Sequence, residues 1–235
     1  MIAVFKKELR SYFTSVIGYV FLVLYLAIAA VVLATTTLYS MSADVTAFFT
    51  MMIFVSAVAL PLLTMKSFSE EKRSRTEQLL LTAPVSIIGI VMGKFLAAYT
   101  VFASCMVLNT LYCFVLMNYA VLKVGTLFGC LLAALLIGLV YIAIGLFVSA
   151  LTENQLTAAI GTMGIILVFL GIGLIASIIP SSYAIRYVFN FLSIFTRFQA
   201  FINGYIDFAS IIYYLSVGAI FIYLTIRIYD RRRYS

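Results

Sequence analysis

The decisive stretch of this chain is Ser69-Glu70-Glu71-Lys72-Arg73-Ser74-Arg75-Thr76-Glu77-Gln78, a run of consecutive polar residues in a sequence that is 65% hydrophobic. Segments apolar enough to cross a bilayer lie on both sides of this run. Because each unpaired polar group in lipid costs several kcal/mol, the run lies outside the hydrocarbon, as a loop between two membrane helices. The loop is too short to fold as a domain, which favours a role in binding a soluble partner.

Composition predicts an all-α polytopic membrane protein with a single transmembrane domain. The chain has 235 residues, of which 10% are charged, and its mean hydropathy is +1.19. Crossing about 30 Å of hydrocarbon takes roughly 20 helical residues. Six segments meet this requirement, and we expect spans at 16–39, 45–65, 95–119, 125–151, 156–179 and 208–229.

Two further segments have the pattern of helices that lie in or on the membrane surface. In residues 1–15, Ile2, Phe5, Leu9 and Tyr12 recur at helical spacing, while Lys6, Lys7 and Arg10 occupy another face. This pattern predicts an amphipathic interfacial helix and not a signal peptide. Residues 181–207 are rich in aromatic residues at similar spacing, which predicts an amphipathic or re-entrant helix, or a pair of helices, before the last span.

The distribution of positive charge predicts the orientation of the spans. With six spans, both termini and the loop at 66–86 share one side of the membrane. That side holds twelve of the fifteen Lys and Arg residues, whereas Lys123, Arg186 and Arg197 lie on the other. The positive-inside rule therefore places both termini and the loop in the cytoplasm. The asymmetry also explains the net charge of +7 without a nucleic-acid partner.

Several classes of site are excluded by residue type. The sequence has no histidine, which removes histidine-based catalysis and most zinc sites. Cys105, Cys113 and Cys130 lie in apolar helices without metal-ligand spacing and are expected to be small buried residues. Gly89 to Phe95 resembles a phosphate-binding loop, but it has three residues between the glycines where four are needed, and Phe95 replaces the required Ser or Thr. We therefore expect no cofactor, metal or nucleotide site on this chain.

The charged loop carries helix start and stop signals. Ser67 and Glu70 have the spacing of a capping box, which predicts a helix that begins at Ser67. Glu71 and Arg75 are placed to pair at i,i+4, and Pro84 ends the helix. An ordinary solvated loop remains the alternative. Glu153, in the tight turn at 152–155 on the same side, either contacts the partner or caps the fifth span, and we favour the cap or simple solvation.

The loop Phe68-x-Glu70-Glu71-Lys72-Arg73-x-x-Thr76-Glu77-Gln78-Leu79-Leu80-Leu81-Thr82-Ala83-Pro84-Val85 resembles the first cytoplasmic loop of ABC-2 type transporter permeases, most of all those of gliding motility and of copper-site assembly for nitrous oxide reductase. Two supporting stretches are Ala143-Ile144-Gly145-Leu146-Phe147-x-Ser149-x-Leu151-Thr152-Glu153-Asn154-Gln155 and Phe201-x-x-Gly204-x-Ile206-Asp207.

The resemblance implies a non-catalytic membrane subunit in a bacterial inner membrane. It would pair with a second permease, identical or related, and with two separate ABC ATPase subunits that bind ATP and Mg²⁺. The loop would be the coupling helix that contacts the ATPase. The partner-binding residues would be Glu70, Glu71, Lys72, Arg73, Thr76, Glu77, Leu80 and Pro84, with Glu153 as a further candidate.

The leading functional hypothesis is the permease of an ABC exporter. The alternative is an ion-coupled secondary transporter, a class that usually keeps ionisable groups at the bilayer midplane. Every acidic residue here maps to a span edge or a loop, which argues against that alternative and against an intramembrane enzyme. Thr35, Thr36, Thr37, Asn109 and Asn118 are the main uncharged polar residues near the spans. We expect the threonine hydroxyls to bond to their own helix backbone.

Overall fold

The computed structural model describes residues 1–14, 16–39, 45–74, 86–116, 124–178, 190–205 and 207–234. Within these ranges the chain forms α-helices and no strand. In chain order the helices are α1 (Ile2–Thr14), α2 (Val16–Leu33), α3 (Val45–Thr64), α4 (Lys66–Arg73), α5 (Ile87–Leu116), α6 (Val124–Leu151), α7 (Gln155–Ile178), α8 (Ile194–Ile202) and α9 (Phe208–Tyr234).

Six of the described helices are long and apolar enough to cross a membrane, which confirms the predicted all-α polytopic architecture. They correspond to α2, α3, α5, α6, α7 and α9. The bundle is built around α6, which packs against α3, α4, α5, α7, α8 and α9. Its side chains from Val140 to Leu146 are all buried. A helix that is apolar on every side is expected at such a central position.

One end of the bundle, which we call the charged end, collects the elements that lie outside the spans. There α1 lies against the start of α5, α4 continues from α3, and the turn between α6 and α7 lies beside α4. The end of α9 also reaches it, since the Arg232 guanidinium donates to the Ala150 carbonyl at 2.9 Å. Most of the described Lys and Arg residues therefore lie at one end of the bundle, as the charge pattern predicted.

At the opposite end, α8 enters the bundle. The hydroxyls of Tyr213 and Tyr214 in α9 donate to the carbonyls of Leu192 and Ile194 at 2.5 and 2.8 Å. Phe195 contacts Phe54 of α3, about 13 Å along that helix from its first residue. The first turn of α8 therefore lies alongside α3 and not at the first residue of that helix. Residues 179–189, which complete this segment, are outside the described ranges.

The chain leaves α8 through a turn that requires glycine and enters α9 through an acidic cap. Gly204 has φ of +79°, in the left-handed region that side chains disfavour. The Asp207 carboxylate accepts from the backbone N–H groups of Ala209 and Ser210, each at 3.1 Å. The Ser210 hydroxyl also donates to this carboxylate, which lowers the pKa of Asp207 below its usual range.

Three details differ from the sequence-based expectations. The predicted capping box is wrong: α4 begins at Lys66 without a side-chain cap, because the chain passes from α3 through Met65 in a helical conformation. The third span belongs to a helix that begins at Ile87 and not at 95, and α9 continues to Tyr234. The first span also ends in a π-helical turn, Ala34–Leu38.

The prediction for the threonine hydroxyls in this turn is confirmed for Thr35 and Thr36. Thr35 donates to the Val31 and Val32 carbonyls, and Thr36 donates to the Val32 carbonyl.

Candidate partner-docking site at the charged end

Helix α4, the first part of the charged loop, is hydrogen-bonded to the end of α6 through one side-chain hydroxyl. Ser149 Oγ accepts from the backbone N–H groups of Phe68 and Ser69 and donates to the Met65 carbonyl, each at 3.1 Å. The first N–H groups of a helix have no partner within it, so Ser149 satisfies two of them. One turn earlier on α6, a Cβ at Gly145 would lie 2.1 Å from Thr64 Oγ1, so only glycine lets the end of α3 approach.

The apolar side of α4 is buried between spans. Phe68 is 1% exposed, and its ring lies 4.8 Å from that of Tyr229 in α9. Ser67 and Ser69 are also buried, which places one face of this short polar helix inside the protein. Helix α4 is therefore rigidly joined to α3, α6 and α9 at once.

The buried side of α4 also faces a lysine, Lys94 of α5, whose side chain is 1% exposed. Its ammonium group donates to Glu71 of α4 at 2.8 Å, to Glu8 of α1 at 3.2 Å and to the Ser67 carbonyl at 2.6 Å. It also lies 4.9 Å from the centre of the Phe68 ring. All three ammonium hydrogens therefore have acceptors, as a buried charge requires.

Lys7 completes the charge balance of this cluster, with its ammonium 3.8 Å from both carboxylates. We refer to Lys7, Glu8, Glu71 and Lys94 as the ion cluster. Beside it, a polar cavity of about 330 Å³ opens between α1 and α4. Its wall includes Ser11, Tyr12, Lys66 and Glu70 as well as the ion cluster.

The other side of α4 is open to a partner. Arg73 and Ser74 are exposed, and the Glu70 side chain is 56% exposed at 3.9 Å from Lys66. Lys72 pairs with Glu153 across the turn between α6 and α7 at 3.1 Å. The result is a short charged surface on a helix that packs against α3, α6 and α9.

Of the two favoured alternatives for Glu153, the cap of the fifth span is wrong, and the side chain is largely solvent-exposed. The side chain of Asn154 accepts from the Leu156 backbone N–H at 3.0 Å and takes that role. Glu153 remains 69% exposed while it pairs with Lys72. The turn is thereby linked to the charged loop.

The predicted partner-binding residues differ in their accessibility. Glu70, Arg73 and Glu153 are exposed to solvent. Glu71 is paired with Lys94 inside the protein, and the exposure of Lys72 is intermediate. Thr76, Glu77, Leu80 and Pro84 lie outside the described residues, as does Arg75. Sequence reasoning overlooked Lys94, Glu8 and the holding role of Ser149. A signal for Lys94 existed, since it is the one charged residue of α5.

Comparison with known proteins assigns the chain to a family. The sequence model of the family described as "ABC-2 family transporter protein" matches residues 31–228, which is most of the chain. A search of curated proteins found no match. The match includes all of α3 to α8 and most of α9, together with the exposed surface of α4, and it begins after α1. This protein therefore belongs to the ABC-2 family of transporter proteins and is a multi-pass ABC transporter permease.

Proposed function

We propose that this chain is the membrane-spanning subunit of an ABC exporter and that α4, with the residues that follow it, receives a separate ATPase subunit. ABC-2 permeases generally associate with ABC ATPases and are not themselves catalytic. In this proposal two ATPases serve two permease chains, and both chain termini are cytoplasmic in a bacterial inner membrane. Hydrolysis of ATP on the partner then moves a substrate through the membrane domain.

The observation that carries the proposal is the two-sided character of α4. Its outer side presents charged groups of both signs, including Glu70 and Arg73, that a soluble protein can pair with. Its inner side is joined to α6 through Ser149 and to α9 through the Phe68 ring. A force applied to the exposed side is transmitted to the spans, which is the requirement for a coupling element.

The proposal is tested by reversing exposed charge on α4. Arg73→Glu combined with Glu70→Arg should preserve folding, because both residues are exposed, and should weaken ATPase binding. Like charge placed at an interface costs roughly 2–5 kcal/mol when the partner group is desolvated, which is more than tenfold in affinity. The measurement is recovery of an ATPase with a Walker A motif on the tagged permease, together with vanadate-sensitive ATP hydrolysis.

Lys6→Glu is the matched control, since Lys6 is an exposed cation at the same end but on α1. It should retain the ATPase. Glu71 is unsuitable for this test, because its reversal would place a second ammonium beside buried Lys94. Equal ATPase recovery on the α4 variant and on the control would remove α4 as the docking element.

A further inference from the structure

We propose that the ion cluster couples α1 to the docking helix, so that α1 moves with α4 as one body when an ATPase acts on it, and that Lys94 is the residue that positions both helices. This inference rests on the proposed function. It assigns a role to α1, which lies before the region that the family match covers.

The seat of α1 on α5 is formed by the glycines that resemble a phosphate-binding loop. A Cβ at Gly93 would lie 3.0 Å from Val4 Cβ and 3.2 Å from the Phe5 backbone nitrogen. A Cβ at Gly89 would lie 3.3 Å from the Met1 nitrogen. Glycines four residues apart lie on one face of a helix and let another helix come close. Lys94 follows this seat directly.

Lys94 reaches both helices from that position. Its partners, Glu8 on α1 and Glu71 on α4, are 63 positions apart in the sequence. Among the described residues, Lys7 is the other charged group at this site, 3.8 Å from each carboxylate. The two carboxylates repel each other without a shared cation, so the Lys94 ammonium sets their spacing.

The ion cluster fixes the position of α1 relative to α4 more than it stabilises the contact between them. Apolar contacts already hold α1 to the bundle, through Val4, Leu9 and Tyr12. A buried ion pair contributes little net stability over a well-packed apolar one, but it tolerates one geometry only. Glu71 also lies on the same short helix as exposed Glu70 and Arg73, so a displacement of α4 acts on Lys94 directly.

The tether is measured as a distance between α1 and α4. Cysteines replacing Lys6 and Ser74, both exposed, take spin labels, while native Cys105, Cys113 and Cys130 are buried. In vesicles of phosphatidylethanolamine and phosphatidylglycerol, the otherwise unchanged chain should give one narrow distance by electron–electron double resonance. Lys94→Met should broaden it, and Lys94→Arg should restore a narrow distribution. Glu8→Gln, which leaves the Lys94–Glu71 pair in place, should broaden it on its own if Lys94→Met does not fold.

Glu70→Gln is the matched control, since Glu70 neighbours Glu71 but pairs with Lys66. It should leave the distance unchanged. The inference also predicts that the ATPase still co-purifies with Lys94→Met, while vanadate-sensitive hydrolysis stimulated by the permease falls about tenfold, which is within the range typical for loss of energetic coupling between two sites.

Three results would overturn the inference. The first is a distance that stays narrow in both Lys94→Met and Glu8→Gln, which would mean that the glycine seat alone holds α1. The second is a broad distance with undiminished hydrolysis, and the third is loss of the ATPase itself from Lys94→Met. Failure of the unchanged chain to bind any ATPase would instead overturn the proposed function and the coupling role, while the distance measurement would still decide whether the tether exists.

Discussion

Single side chains with short reach set the geometry of the charged end. Ser149 is the clearest case, because one hydroxyl serves two backbone donors and one backbone acceptor of the junction between α3 and α4. Alanine at this position removes all three hydrogen bonds without changing the volume greatly. Buried groups that lose their partners cost more than the bond itself contributed.

Ser149→Ala should therefore destabilise the protein by about 1–3 kcal/mol, which lowers the melting temperature by a few degrees for each kcal/mol. Thermal unfolding in detergent measures the change. Ser104→Ala is the control, because Ser104 is exposed and its hydroxyl bonds only to the Thr100 carbonyl of its own helix. A melting temperature for Ser149→Ala equal to that of Ser104→Ala would show that the hydroxyl is not needed.

At this scale the sequence predicted residue types better than partners. Burial of Cys105, Cys113 and Cys130 and the self-bonding of Thr35 and Thr36 followed from local rules, and the structure confirms them. The Lys94 cluster did not follow, because its acids come from two other elements and no local spacing relates them. The pairing of Glu71 with Arg75 stays a prediction from near-neighbour spacing, since Arg75 lies outside the described residues.

Among the helices, α5 carries two glycines whose spacing resembles a phosphate-binding loop and whose role in the structure is to pack against α1. Gly89 and Gly93 keep the face of α5 flat enough for α1 to lie against it. A β-branched side chain at 93 would overlap Val4 and lift α1 away.

Gly93→Val should accordingly expose α1 to protease. Trypsin has sites at Lys6, Lys7 and Arg10, and cleavage there should quicken because local detachment of a helix opens its backbone to cleavage. Loss of an N-terminal tag from permease in open membrane fragments provides the measurement. Gly164→Val serves as the control, since a Cβ at Gly164 meets nothing within 4 Å. If both variants lose the tag at the rate of the unchanged chain, Gly93 is not the seat of α1.

The presence of each membrane-spanning helix could be predicted from the sequence, whereas the exact ends of the helices could not. Apolar length alone identified all six spans, because a bilayer imposes the same requirement on each. The start of α4 was misplaced because Ser67 and Glu70 have capping spacing, whereas the chain enters α4 through Met65 in a helical conformation and Ser149 of α6 accepts from two of its first N–H groups. The third span was predicted to begin at 95, directly after Lys94, whereas α5 begins at Ile87 and includes this lysine, since α1 and α4 supply the acids that let it be buried inside a helix.

For the molecule as a whole, the separation of its two ends predicts its orientation in the membrane. Ser74 is exposed at the charged end, and Tyr205 is exposed beside α8 at the opposite end. The positive-inside rule predicts that the charged end faces the cytoplasm.

Single cysteines at Ser74 and Tyr205 should therefore react from opposite sides. An impermeant thiol reagent added to intact cells should label Tyr205→Cys, and Ser74→Cys should react only after the membrane is opened. The unsubstituted chain is the control for background, since its three cysteines are buried. Labelling of both substituted positions in intact cells would contradict the six-span topology.

The central position of α6 has a consequence for the genetics of inactive variants. A helix that fills the axis of its own bundle leaves the described part of a single chain without a lumen along that axis. In the proposed pair of permeases, the cargo would therefore travel along a flank, where the neighbouring chain supplies the other wall. In a paired transporter of this kind, one defective copy spoils the passage that both copies enclose. Random pairing of sound and defective chains would leave only a minority of assemblies intact, so a folded but inactive allele would act dominantly over a functional one.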